Sequence, residues 1–181
     1  MTPRFVARRL DHPDVVRLVE VVQDLYRRLY GEGDEAPIAP DELAPPRGEL
    51  YVGYLGDEPV ATVAWRHRGQ VAGLPGPVAE IKRMSVLPGY QGRGWGRSAL
   101  DFIEQRIAAH QVEVVVLQTG NQQHVAVSMY RSAGYRPLPD DADRSWDPYA
   151  DDPLSLQMWK VLPTAHEERE RSCAPGSGHS G

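Results

Sequence analysis

The chain has 181 residues, 41% of them hydrophobic, with charge dispersed along its length. That suits one α/β domain with a real core and leaves too little for a second domain. Its net charge is −5 despite eighteen arginines against two lysines, so no global field draws it to nucleic acid. No apolar run approaches the roughly eighteen residues of a membrane span, and the lone Cys173 can form neither an internal disulfide nor a zinc site, so no metal is expected.

Met1 to Arg9 lacks the apolar core of a secretory signal, so cytoplasmic residence is expected. Arg4 to Leu10 predicts a first strand. His12-Pro13-Asp14 starts a helix with Val15, Leu18, Val19, Val22, Leu25, Tyr26 and Leu29 at helical spacing, and Gly31 ends it. Residues 32–48, rich in proline, acid and glycine, predict a long loop with a short helical turn over Pro40 to Leu43. Glu49 to Leu55 and Val60 to Arg68 predict an antiparallel hairpin around Gly56-Asp57-Glu58-Pro59, and Val78 to Leu87 adds a third strand.

Gln91-Gly92-Arg93-Gly94-Trp95-Gly96 follows that strand. Its glycines permit positive φ and close backbone approach, so successive N–H groups can converge on an anion, and the free N–H groups of the next helix add to them. A cofactor carrying a pyrophosphate is the expected occupant. Arg97 to His110 predicts that helix, with Ala99, Leu100, Ile103, Ile107 and Ala108 as its apolar stripe, and Val112 to Leu117 a buried strand parallel to the one before the glycines. Val125 to Ala133 predicts a short helix stopped by Gly134. Tyr135 to Leu138 and Leu154 to Val161 predict the last two strands, separated by an acidic loop over Asp140 to Asp152. Residues 163–181 predict a polar, disordered tail beyond a domain spanning 1–162.

Two separated motifs together resemble the GCN5-related N-acetyltransferase (GNAT) superfamily over roughly residues 4 to 162. One is Gln91 to Gly96 after Met84-Ser85-Val86-Leu87-Pro88. The other is Ala126-Val127-Ser128-Met129-Tyr130-Arg131-Ser132-Ala133-Gly134-Tyr135. Other glycine-rich phosphate loops fit less well, because no Gly-Lys-Ser/Thr follows and no Rossmann acid is in place. The resemblance implies a mixed, mostly antiparallel α/β (α+β) sheet of six to seven strands flanked by about four helices, with a splayed parallel pair that binds CoA.

The resemblance also implies residue roles. Pyrophosphate lies on the backbone of Gln91, Gly92, Arg93, Gly94, Trp95 and Gly96, with Arg97 and Ser98 at the helix start. Pantetheine runs beside Met84, Ser85 and Val86. The superfamily's usual asparagine position holds Gln123, with Asn121 two residues earlier, so either amide could contact the pantetheine arm. Tyr130 is the expected proton donor to the departing thiolate, and Glu80 the candidate base. Glu80 could equally form an ion pair with Lys82 or Arg83; strand alternation puts it on one face with Lys82 and Met84.

The implied activity is acetyl-CoA-dependent N-acetylation of a small-molecule amine. With no cysteine in the core, direct attack in a ternary complex is expected. Acetylation of a protein or peptide, and a non-catalytic acyl-CoA-binding domain, are the alternatives. The acidic residues of the 140–152 loop, including Asp147 and Asp151, lie near Trp146 and Tyr149 and could attract a cationic amine or simply be solvated. His67, His110 and His124 match no metal-ligand spacing. Relatives suggest that the last strand could serve a homodimer.

Overall fold

Period-two alternation of apolar residues builds the strands, and a 3.6-residue stripe seats each helix on them. The computed structural model describes residues 2–31, 33 and 38–163. Strands β1 (Arg4–Ala7), β2 (Gly48–Leu55), β3 (Glu58–Gln70), β4 (Pro77–Val86), β5 (Val114–Gly120), β6 (Arg136–Pro137) and β7 (Ser155–Val161) form one seven-stranded sheet. The order is β1-β2-β3-β4-β5-β7-β6, and every pairing is antiparallel except β4 with β5. The predicted meander and parallel pair are both present.

Among the described residues there are three α-helices rather than about four: α1 (Pro13–Tyr30), α2 (Trp95–Ala109) and α3 (His124–Ser132). The 3-10 turns Pro40–Leu43 and Pro88–Tyr90 complete the elements. β1 stops at Ala7, short of the predicted Leu10. β6 is only two residues long, because Pro137 has no N–H to offer a ladder. The predicted tail lies outside the described residues, apart from Pro163. No helix among the described residues is long and apolar enough to cross a membrane.

The sheet separates two apolar layers. Ala79, Ile81, Val115 and Leu117 face α2 and α3, packing with Ala99, Leu100, Ile103, Ile107 and Tyr130. On the opposite face, Leu50, Val52 and Ala64 meet Val15 and Leu18 of α1, while Val78, Val114 and Val116 meet Leu138, Ala142 and Trp146 of the chain leading to β7. Each such buried aliphatic side chain contributes roughly 1.5–3 kcal/mol, which fixes the register of α1 through Val15 and Leu18. The rest of the predicted α1 stripe diverges in use: Leu25 is exposed, whereas Val19, Val22 and Tyr26 wall a cleft.

Candidate active site

The cleft comes from a parallel pair that separates. β4 and β5 are paired only from Val78↔Val114 to Ile81↔Leu117. Beyond that, β4 stays on β3 as far as Val86, and β5 stays on β7 as far as Gly120, so a wedge opens between two strands that each keep another partner. The wedge is a cavity of about 340 Å³, walled by α1, by β4 from Ile81 to Ser85, by β5 from Leu117 to Gly120, by α3 and by the chain near Tyr149 to Leu154.

A bulge starts the divergence. The β3–β4 register slips between Thr62 and Ala64, and Arg83 takes φ 51, in the left-handed region that a non-glycine residue seldom adopts. Thr62 holds it there: its hydroxyl donates to the Arg83 carbonyl at 2.6 Å. With that single proton committed, Thr62 Oγ1 accepts from Ser85 Oγ at 2.9 Å. The extra residue also breaks the alternation. Glu80 and Lys82 share the α1 face as expected, but Met84 turns to the α2/α3 face beside Ile81, which corrects the expectation that all three point the same way.

Tyr130 projects from α3 into the wedge and is only 6% exposed. Its hydroxyl donates to Met84 Sδ at 3.6 Å, and its ring meets Tyr135 edge-on. Burial, with a smaller contribution from Tyr26 across the cleft, pushes its pKa well above the ordinary phenol value, so the hydroxyl keeps its proton. A sulfur atom within reach of a buried O–H is the arrangement that a departing thiolate would need.

At the outer end of β4 the glycine segment turns into α2, which begins at Trp95, two residues before its predicted start. Gly92 and Gly94 take φ 75 and φ 78, with Gly94 as the helix N-cap. Among the described residues, no backbone N–H from Gly92 to Arg97 donates to a backbone or side-chain acceptor. These groups form an open donor cluster at a helix N-terminus, which fits a pyrophosphate.

The side chains around that cluster are otherwise engaged. Trp95 packs under the turn on Val60 and Ala61, and Arg93 lies over the rings of Tyr90 and Trp95. Gln91 donates to the Val86 carbonyl, Arg97 pairs with Asp101, and Ser98 donates to the Gly94 carbonyl. Val86 packs with Val60 and Trp95. A Cβ on Gly94 would meet no atom within 4 Å, so an alanine there is penalised by φ alone. Gly94→Ala is expected to cost about 1–2 kcal/mol, divided between the melting temperature and CoA affinity, as read by a thermal melt and calorimetry on one preparation. No change in either would mean that the turn is not held in this conformation.

The two candidate amides part company. Gln123 lines the cleft just before α3, whereas Asn121 Nδ2 donates to the Pro153 carbonyl and ties the β5 end to the chain entering β7. The acidic loop is largely used internally: Asp147 is 4% exposed and accepts from Gln157, Ser155 and the Tyr149 N–H. Trp146 is buried, and only Tyr149 and Asp152 of this loop reach the cleft wall.

Glu80 is fully buried on the face opposite Tyr130 and is absent from the cleft wall. Its Oε2 accepts from Arg66 Nε at 2.8 Å and Arg68 Nε at 2.6 Å, while Lys82 Nζ lies 3.6 Å from Oε1. Arg66 also donates to Glu42, and Arg68 to the Trp146 carbonyl. Glu80 is ion-paired here, but its hydrogen-bonded partners are Arg66 and Arg68, with the expected Lys82 only approaching it. Motif reading missed Thr62, Glu42, Arg66 and Arg68, since they carry no local signal and meet only across strands. His67 and His110 pack on Trp65, and His110 also approaches Glu49.

Comparison with known proteins agrees with this geometry. A family model described as the acetyltransferase (GNAT) family matches residues 16–135. The chain is 32% identical over 165 residues to an IAA acetyltransferase of Azospirillum brasilense, covering 87% of this chain and 97% of that protein. In fold it is similar to a GNAT-family acetyltransferase of Staphylococcus aureus, with a TM-score of 0.64 and 14% identity over 88% of this chain and 100% of that one. A GNAT-family acetyltransferase of Elizabethkingia anophelis with acetyl-CoA bound has a TM-score of 0.61 and 17% identity, over 88% of this chain and 97% of that one.

Proposed function

The chain belongs to the GNAT acetyltransferase family, and we propose that it moves an acetyl group from acetyl-CoA to the primary amine of a small molecule, by direct attack in a ternary complex. The observation that carries this reading is the wedge between β4 and β5. It has an open N–H cluster beyond one end, a protonated buried phenol on one wall, and a small chamber against α1.

In this reading the N–H groups from Gly92 to Arg97 hold the pyrophosphate, and the freed edge of β4 from Met84 to Val86 pairs with the pantetheine arm. Gln123 is the amide that reaches that arm. The amine enters from the α1 side and attacks the thioester carbon, and the Tyr130 hydroxyl donates a hydrogen bond to the sulfur as the C–S bond breaks. The base role passes from Glu80, which is fully buried, ion-paired to two guanidiniums through Oε2 and absent from the cleft wall, to water in the cleft mouth. A chamber of this size, walled by α1 and the Tyr149 to Leu154 chain, favours a small acceptor over a peptide.

The test is release of free thiol from acetyl-CoA with a broad panel of amines. Amine-dependent release with matching acetylated product is the expected result. Tight CoA binding with no amine-stimulated release across the panel would sink the proposal.

A further inference from the structure

The cleft wall on the α1 side carries a charge that the described residues do not fully balance. Lys82, one of only two lysines, is 7% exposed and lines the cavity. Its ammonium makes no hydrogen bond to any described residue, and its one ion-pair contact among them is the long 3.6 Å approach to Glu80 Oε1. That carboxylate already serves Arg66 and Arg68 through its other oxygen, and Glu42 serves Arg66. Among the described residues the linked cluster thus has four cations (Arg47, Arg66, Arg68, Lys82) against three carboxylates (Asp41, Glu42, Glu80), an excess of one positive charge.

An ammonium so far from bulk water needs acceptors for its three N–H donors, and the cleft is the open side from which one can come. Among the described residues the only carboxylate in the cavity wall, Asp152, accepts from the Leu154 N–H with Oδ1. The α1 side of the wall adds Val19, Val22 and Tyr26, with Leu154 beyond them, while Arg83, Gln118 and Thr119 keep the strand side polar.

From this, and resting on the small-molecule acetyltransferase reading above, we propose that the acceptor amine also carries a carboxylate, which Lys82 binds, on a small apolar or aromatic body. A single negative charge balances the excess of one. With the carboxylate on Lys82, the amine of an amino-acid-like molecule can face the wedge bounded by Met84 and Tyr130. The acidic loop, which could attract a cationic amine or simply be solvated, would then act beside a cation that the cleft itself offers to the acceptor.

The test uses the CoA-saturated full chain and short, branched and aromatic carboxylates that lack an amine, each compared with its own primary amide by calorimetry. Acids should bind saturably and their amides about 10- to 100-fold more weakly, the range of one charge-assisted hydrogen bond. Lys82→Met should weaken the acids by the same factor and leave CoA affinity within about twofold, and Lys82→Arg should restore part of the loss. Acids and amides binding alike, neither binding at millimolar concentration, or acid binding indifferent to Lys82→Met would each overturn the proposal. If Lys82→Met does not fold, the acid-to-amide comparison on the unaltered protein decides alone. Lys82-dependent acid binding by a protein that acetylates no amine would keep this site and reject the acetyl-transfer reading, so the two can fail separately.

Discussion

Tyr130→Phe is expected to lower kcat by about 100-fold or more while the apparent affinity for acetyl-CoA stays within about twofold, the pattern of a contact made chiefly as the leaving group departs. The ring is held by packing that phenylalanine reproduces, against Ile81, Leu117 and Tyr135, so the fold should survive and Tm should shift little. Only the hydroxyl, 3.6 Å from the Met84 sulfur, is lost. Because burial and then Tyr26 raise the pKa of this phenol, it remains protonated through the neutral and mildly alkaline range. The unaltered enzyme should therefore show no alkaline loss of rate from this group below about pH 10, and the variant should show the same pH profile scaled down.

The same shift refines the chemistry. Handing a whole proton from a phenol above pKa 10 to a thiolate near 8.5 is uphill, so Tyr130 is better described as a hydrogen-bond donor to the developing thiolate. The net proton then comes from the amine nitrogen, which attacks as the neutral amine and becomes acidic once bonded to the thioester carbon. Equal losses in kcat and CoA affinity would remove Tyr130 from this role and leave it a packing residue.

The legible part of this protein was the part written in consecutive residues. Gln91 to Gly96 announces itself because a backbone that converges on an anion needs glycine at fixed places, and Gly92 and Gly94 do take positive φ. The helix carrying Tyr130 is equally local, with an apolar stripe and a glycine stop. The bulge at Arg83 left no such mark. Nothing in Lys82-Arg83-Met84 favours a left-handed residue, and the bulge persists because Thr62, on the neighbouring strand, satisfies the displaced carbonyl. One inserted residue then moved Met84 to the other face, a reversal that period-two reasoning cannot foresee. The charge cluster was hidden for a related reason. Glu42, Arg66, Arg68, Glu80 and Lys82 lie on a 3-10 turn and two strands, and alternation told only that Glu80 and Lys82 share a face.

That cluster carries the other large expected effect. Glu80→Gln replaces a fully buried carboxylate whose Oε2 binds two guanidiniums, leaving Arg66 and Arg68 with a neutral amide and Lys82 without its one ion-pair contact among the described residues. Removing one partner of a buried charge network costs about 3–5 kcal/mol, so the melting temperature should fall on the order of 10 °C for a chain of this length. The isosteric amide keeps the volume, so the loss is electrostatic rather than a cavity effect. If Glu80 acts only by holding the arginines and Lys82, the variant that remains folded at 25 °C should keep kcat within about fivefold, a small change beside the 100-fold or greater loss that removal of a general base brings. The acid limb of its pH–rate profile should be unmoved. A variant that melts like the unaltered protein but has lost that limb and most of its kcat would return Glu80 to the role of base. It would also require a path from the cleft to Oε1, the oxygen that the arginines leave without a hydrogen bond. The two outcomes separate cleanly because stability and the acid limb report different events: one senses the charge left among the arginines, the other the proton taken from the amine.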